Sequence, residues 1–101
     1  MKWRRALAVL VATAPLAACV TPPDSATVLA SAGGTGADDA YVVTSEAQEN
    51  EILRLLGVTV ERRVVRVIDG RPFHVLTVRA RESGETRELW FDVSRFFRRD
   101  Y

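Results

Sequence analysis

Residues 58–93 read VTVERRVVRVIDGRPFHVLTVRARESGETRELWFDV, and the fold turns on how this stretch is divided. Apolar residues recur at every second position, the period of strands that cover one face. Three strands are expected: Val58 to Ile68, Pro72 to Arg81 and Thr86 to Val93. Asp69-Gly70 between the first two is a strong two-residue hairpin signal, and Ser83-Gly84 is a weaker one. The first turn pairs Ile68 with Arg71, Val65 with His74 and Arg63 with Leu76. The second pairs Glu82 with Glu85, Val78 with Leu89, Leu76 with Phe91 and His74 with Val93.

Residues opposite one another share a face of the sheet. One face therefore gathers Val65, Val67, His74, Leu76, Val78, Ala80, Leu89, Phe91 and Val93. Val58 and Val60 have the wrong parity to join it, so a β-bulge is expected near Glu61-Arg62-Arg63. The opposite face carries Val64, Arg66, Ile68, Phe73, Val75, Thr77, Arg79, Glu88, Trp90 and Asp92, with Arg79 across from Glu88.

Upstream, the period lengthens to that of a helix. Ser45 and Gln48 form a capping box, Glu46, Glu49 and Glu51 place negative charge in the first turns, and Gly57 offers a left-handed stop. A helix is expected over 45–56, with Ile52, Leu53, Leu55 and Leu56 as its apolar stripe. Tyr41-Val42-Val43 reads either as a short strand or as a packed lead-in. A three-stranded sheet alone leaves its apolar face wet, so the helix must cover it. The expected class is α+β, one helix on a three-stranded antiparallel meander, over residues 41–101.

The second face is more apolar than a solvated surface needs. Val64, Arg66, Phe73, Val75, Arg79 and Trp90 make a candidate partner surface, since aromatic and arginine residues anchor such sites. The competing reading is that Ser94 to Tyr101, with Phe96, Phe97 and Tyr101, folds back over it.

Residues 20–40 are rich in Thr, Pro, Ser, Ala and Gly and show no sustained period. They are expected to be a flexible linker with a root-mean-square reach of roughly 25 Å. Gly33-Gly34-Thr35-Gly36 lacks the preceding strand and following lysine of a phosphate loop. His74 is the only histidine and Cys19 the only cysteine, which leaves no zinc constellation. Asp38-Asp39 lacks the spacing of a calcium loop. His74 reads as a packing residue, and Ser94 near Asp92 lacks a nucleophile elbow, so Asp92 or Ser94 is expected to cap a short C-terminal turn. No catalytic residue, metal or cofactor is expected.

The first 19 residues have a layout of their own. Lys2, Arg4 and Arg5 precede an apolar run from Ala6 to Ala12, and small residues then lead to Leu16-Ala17-Ala18-Cys19. That is the pattern of a secretory signal too short to anchor permanently. The last four residues resemble the lipobox of bacterial lipoproteins. The resemblance implies removal of residues 1–18, acylation of Cys19 and attachment to a membrane by several acyl chains. Val20, where enteric-type lipoproteins retained in the inner membrane carry aspartate, favours the outer membrane facing the periplasm. The order of one helix and three meandering strands is similar, at fold level only, to small lipoproteins of outer-membrane barrel assembly and to cystatin-like periplasmic modules.

Loss of Lys2, Arg4 and Arg5 with the leader leaves 11 arginines against 13 acids, a net −2 where the whole chain has +1. The arginines concentrate beyond Glu61. The expected role is a protein-binding or scaffolding module of the cell envelope. The alternative is direct binding of an anionic envelope lipid or glycan through the arginine-rich half. Nucleic acid is not an expected partner.

Overall fold

The computed structural model describes residues 23–97. Its elements are α1 (Ser25–Ser31), a 3-10 turn (Ala37–Asp39), β1 (Tyr41–Val42), α2 (Glu46–Leu56), β2 (Val58–Ile68), β3 (Arg71–Ala80) and β4 (Thr86–Asp92). The class is α+β, as expected, but the sheet has four strands in the order β1-β4-β3-β2 and is mixed. The addition is β1, which lies parallel to β4 with Tyr41 beside Phe91 and Val42 beside Asp92. Two residues show no period, and only burial of Tyr41 and Val43 against the β4 side secures their place.

Asp69 and Gly70 hold φ of 53° and 78°, the paired left-handed conformations of a type I′ turn. The register of β2 on β3 is the expected one from Ile68–Arg71 back to Arg63–Leu76. The ladder then slips between Val60 and Arg62, leaving Glu61 as the extra residue of a bulge. The slip turns Val58 and Val60 onto the core face with Val78.

The second hairpin differs from expectation by two residues. Ser83-Gly84 is not a two-residue turn, because Ser83 does not adopt the positive φ that a type I′ turn requires. The loop holds four residues, Arg81 to Gly84, closed by Ala80 N–H donating to Glu85 O (2.8 Å) and Gly84 N–H to Ala80 O (2.8 Å). Leu76 therefore faces Leu89, His74 faces Phe91 and Val78 faces Arg87. A shift of two keeps every side chain on its predicted face but breaks the expected Arg79–Glu88 pair. Arg79 faces Thr86 and forms its ion pair with Glu61 instead.

Helix α2 starts and stops where its caps dictate. The Ser45 hydroxyl accepts from Gln48 N–H (3.0 Å), while Gln48 Oε1 accepts from Thr44 N–H (3.0 Å). Gly57 closes the last turn on Arg54 O and Leu53 O. The buried stripe is Glu49, Ile52 and Leu53, with Leu56 half-buried, so Leu55 faces solvent against expectation. Ile52, Leu53, Val58, Leu76, Val78, Leu89, Phe91 and Val93 form the main core with Tyr41 and Val43.

The expected linker is structured over much of its described length. Asp24 caps α1 by accepting from Thr27 N–H (2.9 Å), and these bonds hold its carboxyl below the usual range. Val28 then buries in the main core, and the Ser25 hydroxyl donates to Glu51 (2.9 Å) on α2. Seven residues are too few to display a helical period, so α1 is held by docking rather than by propensity. Farther on, Asp39 accepts from Gly33 N–H (2.9 Å) and the Thr35 hydroxyl (3.0 Å), which tie the glycine-rich loop into a closed turn and lower the carboxyl's pKa.

Candidate functional site

The outer face of the sheet, expected as a partner surface, is largely covered by the chain itself. Phe73 is 1% exposed, Trp90 8%, and Val75 is buried with them in a second core that includes Ala40, Ala37 and Ile68. Among the described residues the cover is the segment 33–40, while Tyr101 of the expected C-terminal cover lies outside the described residues. Trp90 N–H donates to Gly34 O (2.9 Å), and the 3-10 turn lays Ala37 beside the indole cluster. Phe96 and Phe97 pack instead against the main core on the helix side. The remaining gaps are closed by arginine: the Arg66 guanidinium stands 5.5 Å from the Trp90 ring and that of Arg71 5.4 Å from Phe73. Of the six expected surface residues, only Val64, Arg66 and Arg79 lie open to solvent.

What the fold does expose is its β2 edge. Among the described residues the strand order leaves this long strand with one neighbour, and Val65 and Val67 are 46% and 63% exposed although they share the core face. Neither joins a buried cluster among the described residues, so the expected core loses both. The residues flanking a two-residue hairpin form a hydrogen-bonded pair, and such pairs alternate along an antiparallel ladder. Ile68, Arg66 and Val64 therefore bond inward to β3. Arg63, Val65 and Val67 present their N–H and C=O groups outward. On the outer face beside this edge, Arg62, Val64 and Arg66 line a shallow groove with Thr77 and Glu88. Arg63 reaches Glu46 at 4.0 Å, while Arg62 has no ion pair among the described residues.

The helix-side face holds a buried polar pair that the sequence reading missed. His74 Nδ1 lies 2.9 Å from Glu49 Oε2 and 3.1 Å from Oε1, and Glu49 is fully buried. The signal was present: residues 49, 52, 53 and 56 fall at helical spacing, so Glu49 belongs to the apolar stripe. Asp92 projects from the opposite face, paired with Arg71 and accepting from Ser94 N–H (3.0 Å) and its hydroxyl (2.7 Å). Burial alone would raise the Asp92 carboxyl. The Ser94 and Arg71 bonds outweigh it and hold the pKa below the usual range. Asp92 thus caps the turn after β4, as expected, and Ser94, His74 and Asp92 do not converge. Among the described residues no three His, Cys, Asp or Glu side chains lie together to hold a metal ion.

Leu16-Ala17-Ala18-Cys19 lies outside the described residues. Among the described residues no helix is long and apolar enough to cross a membrane. Comparison with protein-family models, curated proteins and solved structures found no match.

Proposed function

We propose that this chain is an envelope lipoprotein, attached through acylated Cys19, whose α+β domain binds other envelope proteins. The observation that carries the anchor is Leu16-Ala17-Ala18-Cys19 behind a basic cluster and a short apolar run. Val20 supports the outer membrane, with the domain on its periplasmic side. Docking of α1 shortens the tether. Five residues lie between Cys19 and Ser25, and their six Cα steps span at most about 20 Å, so an acylated Cys19 holds the domain close to the membrane.

Mass spectrometry of the membrane fraction should find the chain cut before Cys19 and carrying acyl chains. Cys19→Ala should release the protein from that fraction. An unmodified Cys19, or unchanged membrane association of the variant, overturns the anchor. Crosslinking in intact envelopes followed by pull-down tests the binding role. Capture that disappears as ionic strength rises and is restored by anionic lipid vesicles alone would favour the lipid or glycan reading instead.

A further inference from the structure

We infer that the β2 edge is a strand-acceptor site for an extended, acidic peptide segment of a partner protein. This deepens the binding role proposed above and rests on it for location only. Two observations converge on the edge. Among the described residues, the N–H and C=O groups of Arg63, Val65 and Val67 face away from β3 with no strand beside them, the template for strand addition. Val65 and Val67 stand exposed on one side of that edge, and Arg62 and Arg66 stand exposed on the other.

The side-chain alternation states what the segment must look like. Residues opposite one another across a new ladder share a face. On the helix side an added strand meets Val65 and Val67 and must be apolar there. On the outer side it meets Arg62, Val64 and Arg66 and must carry carboxylates opposite the two arginines. The bulge turns Glu61 to Arg79, and Glu88, the one carboxylate in the groove, stands back on β4 and accepts from the Trp90 indole N–H (3.3 Å). A second copy of β2 fits less well, since it would bring another Arg62, Arg63 and Arg66 against the first set. Natural edges carry charge to repel such self-pairing, and the same charge selects an acidic strand.

The test is titration of the full chain, in detergent where it is membrane-bound, with a capped octapeptide alternating glutamate and valine. Hydrogen exchange should slow at the amides of Arg63, Val65 and Val67 and stay unchanged at Val64 and Arg66. Val65→Pro removes one outward donor while leaving the inward ladder whole, and should abolish binding. Arg62→Glu with Arg66→Glu touches no backbone group and tests the site even if the proline variant does not fold. It should weaken the glutamate peptide by about two- to thirtyfold, the scale of two lost exposed ion pairs, and admit the lysine–valine counterpart. Equal binding of both peptides by the parent, protection elsewhere in the domain, or no binding overturns the inference. Protection of the three amides that rises with protein concentration alone, with a dimer mass in light scattering, assigns the edge to a second copy and overturns it as well. Cys19 acylation is read separately by mass, so failure of the edge and failure of the anchor are distinguishable.

Discussion

The Glu49–His74 pair makes the sharpest stability prediction. Glu49 is fully buried on α2, and its two oxygens lie 3.1 and 2.9 Å from His74 Nδ1 on β3. Glu49→Leu keeps the volume nearly constant and adds apolar contact with Ile52 and Leu53, but strands the imidazole without its partner. An orphaned buried group costs about 1–3 kcal/mol, rising to about 3–5 kcal/mol where the broken pair is ionic. At about 4–8 °C per kcal/mol for a domain of this size, the midpoint should fall by at least about 5 °C. His74→Leu should cost as much, because it leaves the Glu49 carboxyl group without its partner in the core. The double variant should recover to within about 1 kcal/mol of the parent, since an apolar pair of similar volume replaces both groups. Urea or thermal unfolding of all four proteins gives the coupling directly, expected at about 1 kcal/mol or more. Additivity within about 0.5 kcal/mol, or single variants as stable as the parent, would show that the contact carries no energy and refute the reasoning.

Three further outcomes follow from particular contacts. Asp92 has a folded pKa below its unfolded one, so it contributes stability above the unfolded value, near 3.9, that is lost as pH falls through the folded value. Asp92→Asn should therefore flatten the acid limb of stability against pH between about pH 5 and pH 2; an unchanged slope counts against the Arg71 and Ser94 bonds as its source. Gly34 has φ of 70° and a Cβ there would strike the Tyr41 ring, so Gly34→Ala should cost about 1–3 kcal/mol. Gly36→Ala, with extended backbone and open space, should be neutral within about 0.5 kcal/mol, and equal melting points would contradict the loop geometry. Trp90→Ala should lose about 3–5 kcal/mol by emptying the second core, and a variant as stable as the parent would mean the indole is not packed beneath segment 33–40.

The second hairpin shows how far alternation reaches. Period-two patterning reports which face a residue takes, and a slip of two residues leaves every face unchanged. Thus the faces were legible while the partners of Arg79 and Glu88 were not. Their register rests on whether Ser83 enters the left-handed region, an energetic choice between two loops that both suit glycine. Glu49 was misread for a related reason: its charge matched the helix dipole, and that local explanation concealed a position on the buried stripe.

By itself the sequence determined what short-range chemistry governs: the limits of α2 through Ser45 and Gly57, the first hairpin through Asp69-Gly70, the bulge at Glu61, and the apolar run ending at Cys19. Tertiary structure alone decided what covers each surface. Segment 33–40 crosses the outer face and buries Trp90, β1 finds β4 from the far end of the domain, and α1 docks through Val28. Val65 and Val67 join neither core, and among the described residues the β2 edge stays open. Those outcomes depend on contacts between residues distant in the chain, whose strength comes from the area they jointly bury and leaves no mark on the local pattern.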